Sequence, residues 1–400
     1  MSLTLLLDLD DTLLQNDIDV FLPHYLKALS VHLSDRFDGD ELVYKLLAAT
    51  RQMVHNTNPR YTAEEAFDQS FYPALNTTKQ DLSATLMDFY SQVFPTLQGL
   101  TQPKQAAQDL VKAAFDRGYQ VVVATNPLFP STAIHQRLEW AGLSPRDYPF
   151  ALITTYESMH FTKPSIAYYA EILGQLGWPD QPAVMVGNSL PDDIRPASAL
   201  GLPTYYLTSA PARESGNARL DGQGALDGVL PWLDEVAAAH HNVPVIRTPA
   251  ALVGVLRSTP AAFDSITRGY RSRDDWGYRP AVGEWSATEI ACHLRDVDAE
   301  VNLPRFERIS RGENPFLPGV NSDLWANERA YAQSDGLAAL RQFMQAREDI
   351  LRLLEGLDES GWNQPARHAI FGPTTLLELV SFTTTHDRNH LQQLWCNPRV

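Results

Sequence analysis

The strongest constraint on the fold of this chain is a change of hydrophobic period near residue 245. Before it, short continuous apolar runs alternate with helical stretches: "TLLLDLD" (4–10), "QVVVAT" (120–125), "ALITTY" (151–156), "AVMVGN" (183–188) and "TYYLTS" (204–209). Such runs, bounded by turn residues, suit strands buried on both faces. Between them, "PKQAAQDLVKAAFDRG" and "PSIAYYAEILGQLG" read as amphipathic helices closed by Gly. Strand–helix alternation predicts a parallel sheet in an α/β layer architecture. After the change, segments 249–270, 286–311, 336–357 and 374–396 carry apolar residues at three- and four-residue spacing, with capping signals such as "SATE" and "TTLLE" at their starts. Four helices of that length predict a four-helix bundle.

Residues 17–98 break the α/β rhythm. Helical patterns such as "VFLPHYLKALSVHL" and "TAEEAFDQSF" dominate there. They are read as a helical cap inserted after the first strand and placed to act as a lid. The expected organisation is a core domain over 1–16 and 99–236, the cap over 17–98, a linker over 237–248 and the bundle over 249–400.

Charge separates the same two parts. Residues 1–240 hold 15 Lys and Arg against 28 Asp and Glu, while 241–400 hold 17 against 20, and no lysine follows Lys163. The net charge of -16 argues against a general nucleic-acid binder or a binder of anionic membranes, both of which need basic surface. Small anionic substrates stay open, since a local site can oppose the global field. Two cysteines are too few for a disulfide framework, and neither a membrane span nor a signal-like leader is evident. The simplest compartment is the cytoplasm.

Open parallel sheets bind ligands at the carboxyl ends of their strands. The first run ends at Asp8 and Asp10, the second at Thr125 and Asn126. "TKPS" places Lys163 after the third, and "GNSLPDD" places Asn188, Asp192 and Asp193 after the fourth. Together they supply a nucleophilic carboxylate, a second carboxyl, a hydroxyl, a cation and acidic ligands. A carboxylate attacking a phosphate dianion needs a hard divalent cation and a lysine to offset the repulsion.

These four motifs, in this order over about residues 1–235, resemble the haloacid dehalogenase superfamily. The resemblance implies a Rossmann-like sheet with an inserted cap, and phosphoryl transfer through an aspartyl phosphate. On it, Asp8 is the nucleophile and Asp10 the general acid/base. Thr125, Asn126 and Lys163 bind the phosphoryl group. Mg²⁺ is held by Asp8, the main-chain carbonyl of Asp10, Asn188 and Asp193, with Asp192 permitted by the spacing. Asp10 favours a phosphatase, because the dehalogenases of the superfamily have no acid there. Asn188 departs from the usual Asp, gives up a full charge and should weaken Mg²⁺. Asp11 is left to the turn after the strand.

In the second part, "THDRNHLQQL" sets His386 and His390 on one helical face. His293 in another predicted helix could be brought opposite by antiparallel packing. Three neutral nitrogen donors suit Zn²⁺, Ni²⁺ or Fe²⁺ better than Mg²⁺. With Trp285-Ser286, Trp362, Gly372 and "HDRNH", residues 249–396 resemble the DinB-like (DinB/YfiT) metal-binding four-helix bundles. That resemblance implies a three-histidine site, relatives that activate a low-molecular-weight thiol, and a tendency to form homodimers. Asp296 and Glu300 are read either as acceptors behind His293 or as partners of Arg295 or Arg305. Cys292 is read as packing; His368 in the preceding loop, and His240 and His241 in the linker, are assigned no role.

The expected function is therefore a Mg²⁺-dependent phosphatase acting on a small phosphorylated metabolite, fused to a transition-metal bundle. The alternative makes the bundle a thiol transferase and the first domain a weak enzyme or a phosphate-binding module.

Overall fold

The computed structural model describes residues 2–209, 220–238 and 246–396; His240 and His241 lie outside the described residues. The chain divides into two compact units. Unit 1 comprises residues 1–165 and 180–244, and unit 2 comprises residues 166–179 and 245–400.

Unit 1 is built on a six-stranded parallel sheet of β1 (Thr4–Leu7), β2 (Gln120–Val123), β3 (Leu152–Ile153), β4 (Ala183–Gly187), β5 (Thr204–Leu207) and β6 (Gly222–Gly224), in the order β3-β2-β1-β4-β5-β6. β1 is central, pairing Thr4 with Gln120 on one side and with Ala183 on the other. Leu5, Leu6 and Leu7 are completely buried, and each contributes about 2 kcal/mol of apolar burial. That explains why the strand is a continuous apolar run. β6 was not expected from the sequence, because "GQG" offers no β-branched or aromatic side chain.

The insert is helical, as expected. It runs through α1 (Ile18–His32), α2 (Gly39–Val54), α3 (Ala63–Ala74) and α4 (Lys79–Asp88), then a π-turn and a 3₁₀ segment to Leu100. Its stem is a two-residue ribbon pairing Leu14 with Pro103 and Gln15 with Gln102. Capping boxes at Thr62/Glu65 and Thr78/Asp81 start α3 and α4. The chain then returns through α5 (Gln105–Asp116) to β2, and α6 (Ser131–Trp140) follows it.

Unit 2 holds α8 (Pro249–Thr267), α9 (Ala287–Val297), α10 (Leu303–Ser310), α11 (Gly336–Glu355) and α12 (Leu376–Trp395). A π-helical segment, Asp298–Asn302, joins α9 to α10 as one interrupted helix. A small sheet pairs Pro365–His368 with Gly372–Thr375 and with Phe316–Leu317. Helix α7 (Ile166–Gln175), placed by sequence inside the first domain, packs here against α8. The physical reason is that α7 is not amphipathic: Ala167 through Gly174 are all buried, as in helices that are apolar all round. The approach is close, since a Cβ on Gly174 would lie 2.7 Å from Cβ of Ala262. No helix among the described residues is long and apolar enough to cross a membrane.

Candidate functional site

The strand ends of unit 1 bring the predicted residues together. Asp8, at the end of β1, is buried, and Lys163 donates to its Oδ1 at 2.7 Å. The same ammonium donates to Oδ1 of Asp193 at 2.6 Å. Asp193 Oδ2 accepts from the main-chain N–H of Ser189 at 2.9 Å. The carboxylate lies so close to the end of β4 that a Cβ on Gly187 would come within 2.3 Å of it, so glycine is required there. Asp192 turns away to Ser189, whose side chain caps the following turn. Thr125 is buried at the end of β2, and the Oδ1 of the next residue, Asn126, is buried with no partner among the described residues. Burial pushes the Asp8 carboxyl up to about 7; Lys163 opposes the rise, while Asp193 and Asp10 add to it.

Asp10 has partners that no motif in the sequence predicts. Arg137, in α6 and fully buried, donates to both Asp10 oxygens at 3.0 and 2.9 Å, and Asn16 donates to Oδ1 at 2.7 Å. Asp11 sits in the left-handed region (φ 56°), and its side chain accepts from the Asn16 N–H. It therefore shapes the turn that carries Asn16, which fits its expected structural role. Lys104 donates to the main-chain carbonyl of Asp11 and adds a second cation beside the cluster.

Asn188 occupies the centre. With its amide oriented to satisfy its surroundings, the nitrogen donates to the Asp10 main-chain carbonyl at 3.1 Å, to Asp8 Oδ2 at 3.2 Å and to Thr12 Oγ1 at 3.2 Å. Three oxygens converge there on one point, and all are hard donors. That donor set fits Mg²⁺, with Asp8 and the Asp10 carbonyl as candidate ligands and Asp193 beside them, and Asn188 would join them only with its amide turned to present Oδ1 in place of the nitrogen. The amide nitrogen supplies partial positive charge at the same point.

In unit 2, α9 and α12 bring the three histidines together. His293 Nε2 lies 2.9 Å from His386 Nε2, which lies 3.2 Å from His390 Nε2, and all three ligand atoms fall within 4.8 Å of one another. Nitrogens at about 2.05 Å from a tetrahedral Zn²⁺ would be about 3.4 Å apart, so the spacing fits one ion. Gln393 Oε1 lies 3.1 Å from His390 Nδ1, a partner that fixes the proton there and leaves Nε2 as a donor lone pair. Trp285 closes one side, with its ring parallel to His390 at 5.7 Å and tilted on His293 at 4.9 Å. Burial and the neighbouring imidazoles lower His293 to about 3, and burial and His386 lower His390 to about 4. Both rings are thus neutral near pH 7 and able to ligate.

Comparison with known proteins decides the families. Residues 3–201 match the family model of the haloacid dehalogenase-like hydrolases, and residues 251–394 match that of the DinB superfamily. The chain joins a haloacid dehalogenase-like hydrolase domain to a DinB superfamily domain. Similar solved structures include a HAD phosphatase from Thermococcus onnurineus, at 21% identity over 58% of this chain and 98% of that one, with a TM-score of 0.38. A 2-haloacid dehalogenase from Pseudomonas syringae pv. Tomato DC3000 matches at 20% identity over 59% of this chain and 100% of that one, with a TM-score of 0.44. YfiT from Bacillus subtilis, described as a probable metal-dependent hydrolase with an unusual four-helix bundle topology, matches at 16% identity over 36% of this chain and 83% of that one, with a TM-score of 0.34. No curated protein was found to match.

Several other polar groups of the DinB domain have structural partners. Asp296 accepts from Arg295 at 2.6 Å and from Arg329 and Tyr331 at 2.7 Å, and Glu300 pairs with Arg329. The ion-pair reading of these two acids therefore holds through Arg295 and Arg329, while Arg305 bonds the Pro318 carbonyl. Cys292 is fully buried packing. His368 Nδ1 accepts from the N–H groups of Ile370 and Phe371, so this ring holds a hairpin turn. The sequence reading missed Arg347, which is fully buried and donates to Asp298 at 2.6 Å and to Asp387 Oδ1 at 3.1 Å. Burial pushes Asp387 up, but the charge of Arg347 and hydrogen bonds from His386 and Arg347 outweigh it and hold the carboxyl down to about 2. Asp387 lies inside "HDRNH", whose spacing by itself points to the histidines and not to the acid between them.

Proposed function

We propose that the hydrolase domain is a Mg²⁺-dependent phosphohydrolase that acts on a small phosphorylated metabolite through an aspartyl phosphate on Asp8. The observation that carries this reading is the Lys163 ammonium held between Asp8 and Asp193, with a third carboxylate at Asp10. A cation bound among Asp8, the Asp10 carbonyl, Asn188 and Asp193 would supply charge neutralisation and align the phosphoryl oxygens. Asp8 attacks phosphorus, and the bond from phosphorus to the ester oxygen breaks. Asp10 gives its proton to the departing oxygen, then takes one from the water that cleaves the acyl phosphate. Arg137 and Asn16 offer Asp10 only N–H donors, the arrangement suited to its base role in the second step. Thr125, Asn126 and Lys163 hold the phosphoryl oxygens. The three histidines of the DinB domain hold a separate Zn²⁺, Ni²⁺ or Fe²⁺. The test is hydrolysis of phosphate monoesters by the full chain with Mg²⁺, beside Asp8→Asn: turnover lost in the variant supports the reading, and turnover retained refutes it.

A second reading is favoured by Asn188, whose amide nitrogen reaches the oxygens that a cation would take. In it, the hydrolase domain binds phosphate without turnover, and the DinB domain transfers a low-molecular-weight thiol at its metal. Phosphate binding that is independent of Mg²⁺, with no ester hydrolysed, is its signature.

A further inference from the structure

A cavity of about 190 Å³ lies within unit 1, walled by α1 to α4 on one side and by Leu128–Pro130 and Tyr156 on the other. Its described walls are aliphatic and aromatic, including Leu22, Leu47, Phe71 and Phe129, and contain no charged side chain and no Asn, Gln or His. The polar groups present are tyrosine hydroxyls and Thr50. The Tyr25 and Tyr90 hydroxyls lie 3.0 Å apart and share one hydrogen bond, the Thr50 hydroxyl donates to its own helix at Leu46, and Tyr72 and Tyr156 complete the polar lining. Burial pushes Tyr25 up to about 12, so it stays neutral. A sugar, a nucleotide base, a carboxylate or a second phosphate would lose its hydration here with only a few hydroxyls to replace it and no charged or amide partner.

The cavity is tied to one residue of the site. Phe129, in its wall, lies 4.9 Å beneath the Arg137 guanidinium, which bonds both oxygens of Asp10. On the opposite wall, α1 begins two residues after Asn16, the other donor to Asp10. Both partners of Asp10 thus lead directly into the walls. In the proposed reaction Asp10 protonates the departing oxygen, so the alcohol portion of the ester must lie on its side of the phosphoryl group.

Building on the phosphohydrolase reading, we infer that this cavity receives the alcohol portion of the substrate, and that the substrate is a phosphate monoester of an uncharged aromatic or branched aliphatic alcohol. The size suits it, because a lined apolar cavity of about 150 Å³ accommodates benzene. Closure of apolar walls around the alcohol also removes water from the side on which the proton is passed.

The test compares 2-phenylethyl phosphate, ethyl phosphate and glycerol 1-phosphate as substrates of the full chain with Mg²⁺. All three are primary alkyl esters, so differences report binding of the alcohol more than its departure. The expected kcat/KM for 2-phenylethyl phosphate exceeds that for glycerol 1-phosphate by about 100-fold, or about 2.8 kcal/mol, with ethyl phosphate between. Leu47→Trp, which fills the cavity, should lower the ratio of kcat/KM for 2-phenylethyl phosphate to that for ethyl phosphate by about 10-fold, a ratio that does not depend on how much of the variant is folded. Equal turnover of all three esters, or equal loss of the phenylethyl and ethyl esters in Leu47→Trp, overturns the inference while leaving the phosphohydrolase reading standing. No turnover of any ester overturns that reading and the inference with it.

Discussion

The Nζ of Lys163 stands 2.7 Å from Oδ1 of Asp8, across 155 residues of chain. The pair is buried, and Asp193 closes it from the other side at 2.6 Å. One ammonium thus separates two carboxylates that would otherwise repel each other in a dry site.

Replacing Lys163 with Met leaves Asp8 and Asp193 buried without their shared cation. The expected result is a fall in kcat of about 100-fold or more, together with a lower thermal midpoint in the absence of divalent metal. A midpoint matching wild type would show that the ammonium does not hold these acids.

Arg137 is a positioning residue, since its contacts are with Asp10. Arg137→Met should reduce kcat by about 10-fold or more with little change in KM, and Arg137→Lys should recover part of it. Steady-state kinetics on one ester decide this. A rise in KM at constant kcat would point instead to a role in binding.

Asn188→Asp restores a full charge where three oxygens converge. Titration calorimetry should show Mg²⁺ binding about 10-fold tighter or more, an increment of about 1.4 kcal/mol. Unchanged affinity would place the cation elsewhere.

The reach of sequence reasoning follows from what each residue depends on. Asp8, Thr125, Lys163 and Asp193 were legible because a parallel sheet gathers the ends of its strands at one edge, whatever lies between. Arg137 was not, because it sits within "TAIHQRLEW", where a lone arginine reads as a solvated helix charge. Only the packing of α6 against the strand ends makes it buried. The same holds for α7, whose period alone did not say that every face is covered, and for the small sheet of unit 2, whose strands have two to four residues. His293, His386 and His390 were legible from spacing and resemblance together, whereas the Arg347–Asp387 pair needed the three-dimensional packing.

The buried Arg347 group supports the helix that carries two of the histidines. Arg347→Met would strand Asp298 and Asp387 without a cation, at a cost of about 3–5 kcal/mol. Urea denaturation followed through tryptophan fluorescence should register it. A loss below about 1 kcal/mol would mean that water or a proton compensates the acids.

The histidine site predicts a pH dependence in metal-free protein. His293 and His390 fall from 6.5 to about 3 and about 4 on folding. Folded-state values below the unfolded ones favour folding above pH 6.5, and this contribution is lost as pH drops through that window. The midpoint of the DinB domain should therefore decline between pH 7 and pH 4, and His293→Gln should flatten the decline. A midpoint independent of pH across this range contradicts the placement of the rings.

The most direct measurement is acid quench during turnover of a phosphate monoester with Mg²⁺, followed by peptide mass analysis. The account predicts a phosphoryl adduct on Asp8, reducible by borohydride and absent from Asp8→Asn. Turnover with no adduct on Asp8, or with an adduct on another side chain, would contradict it.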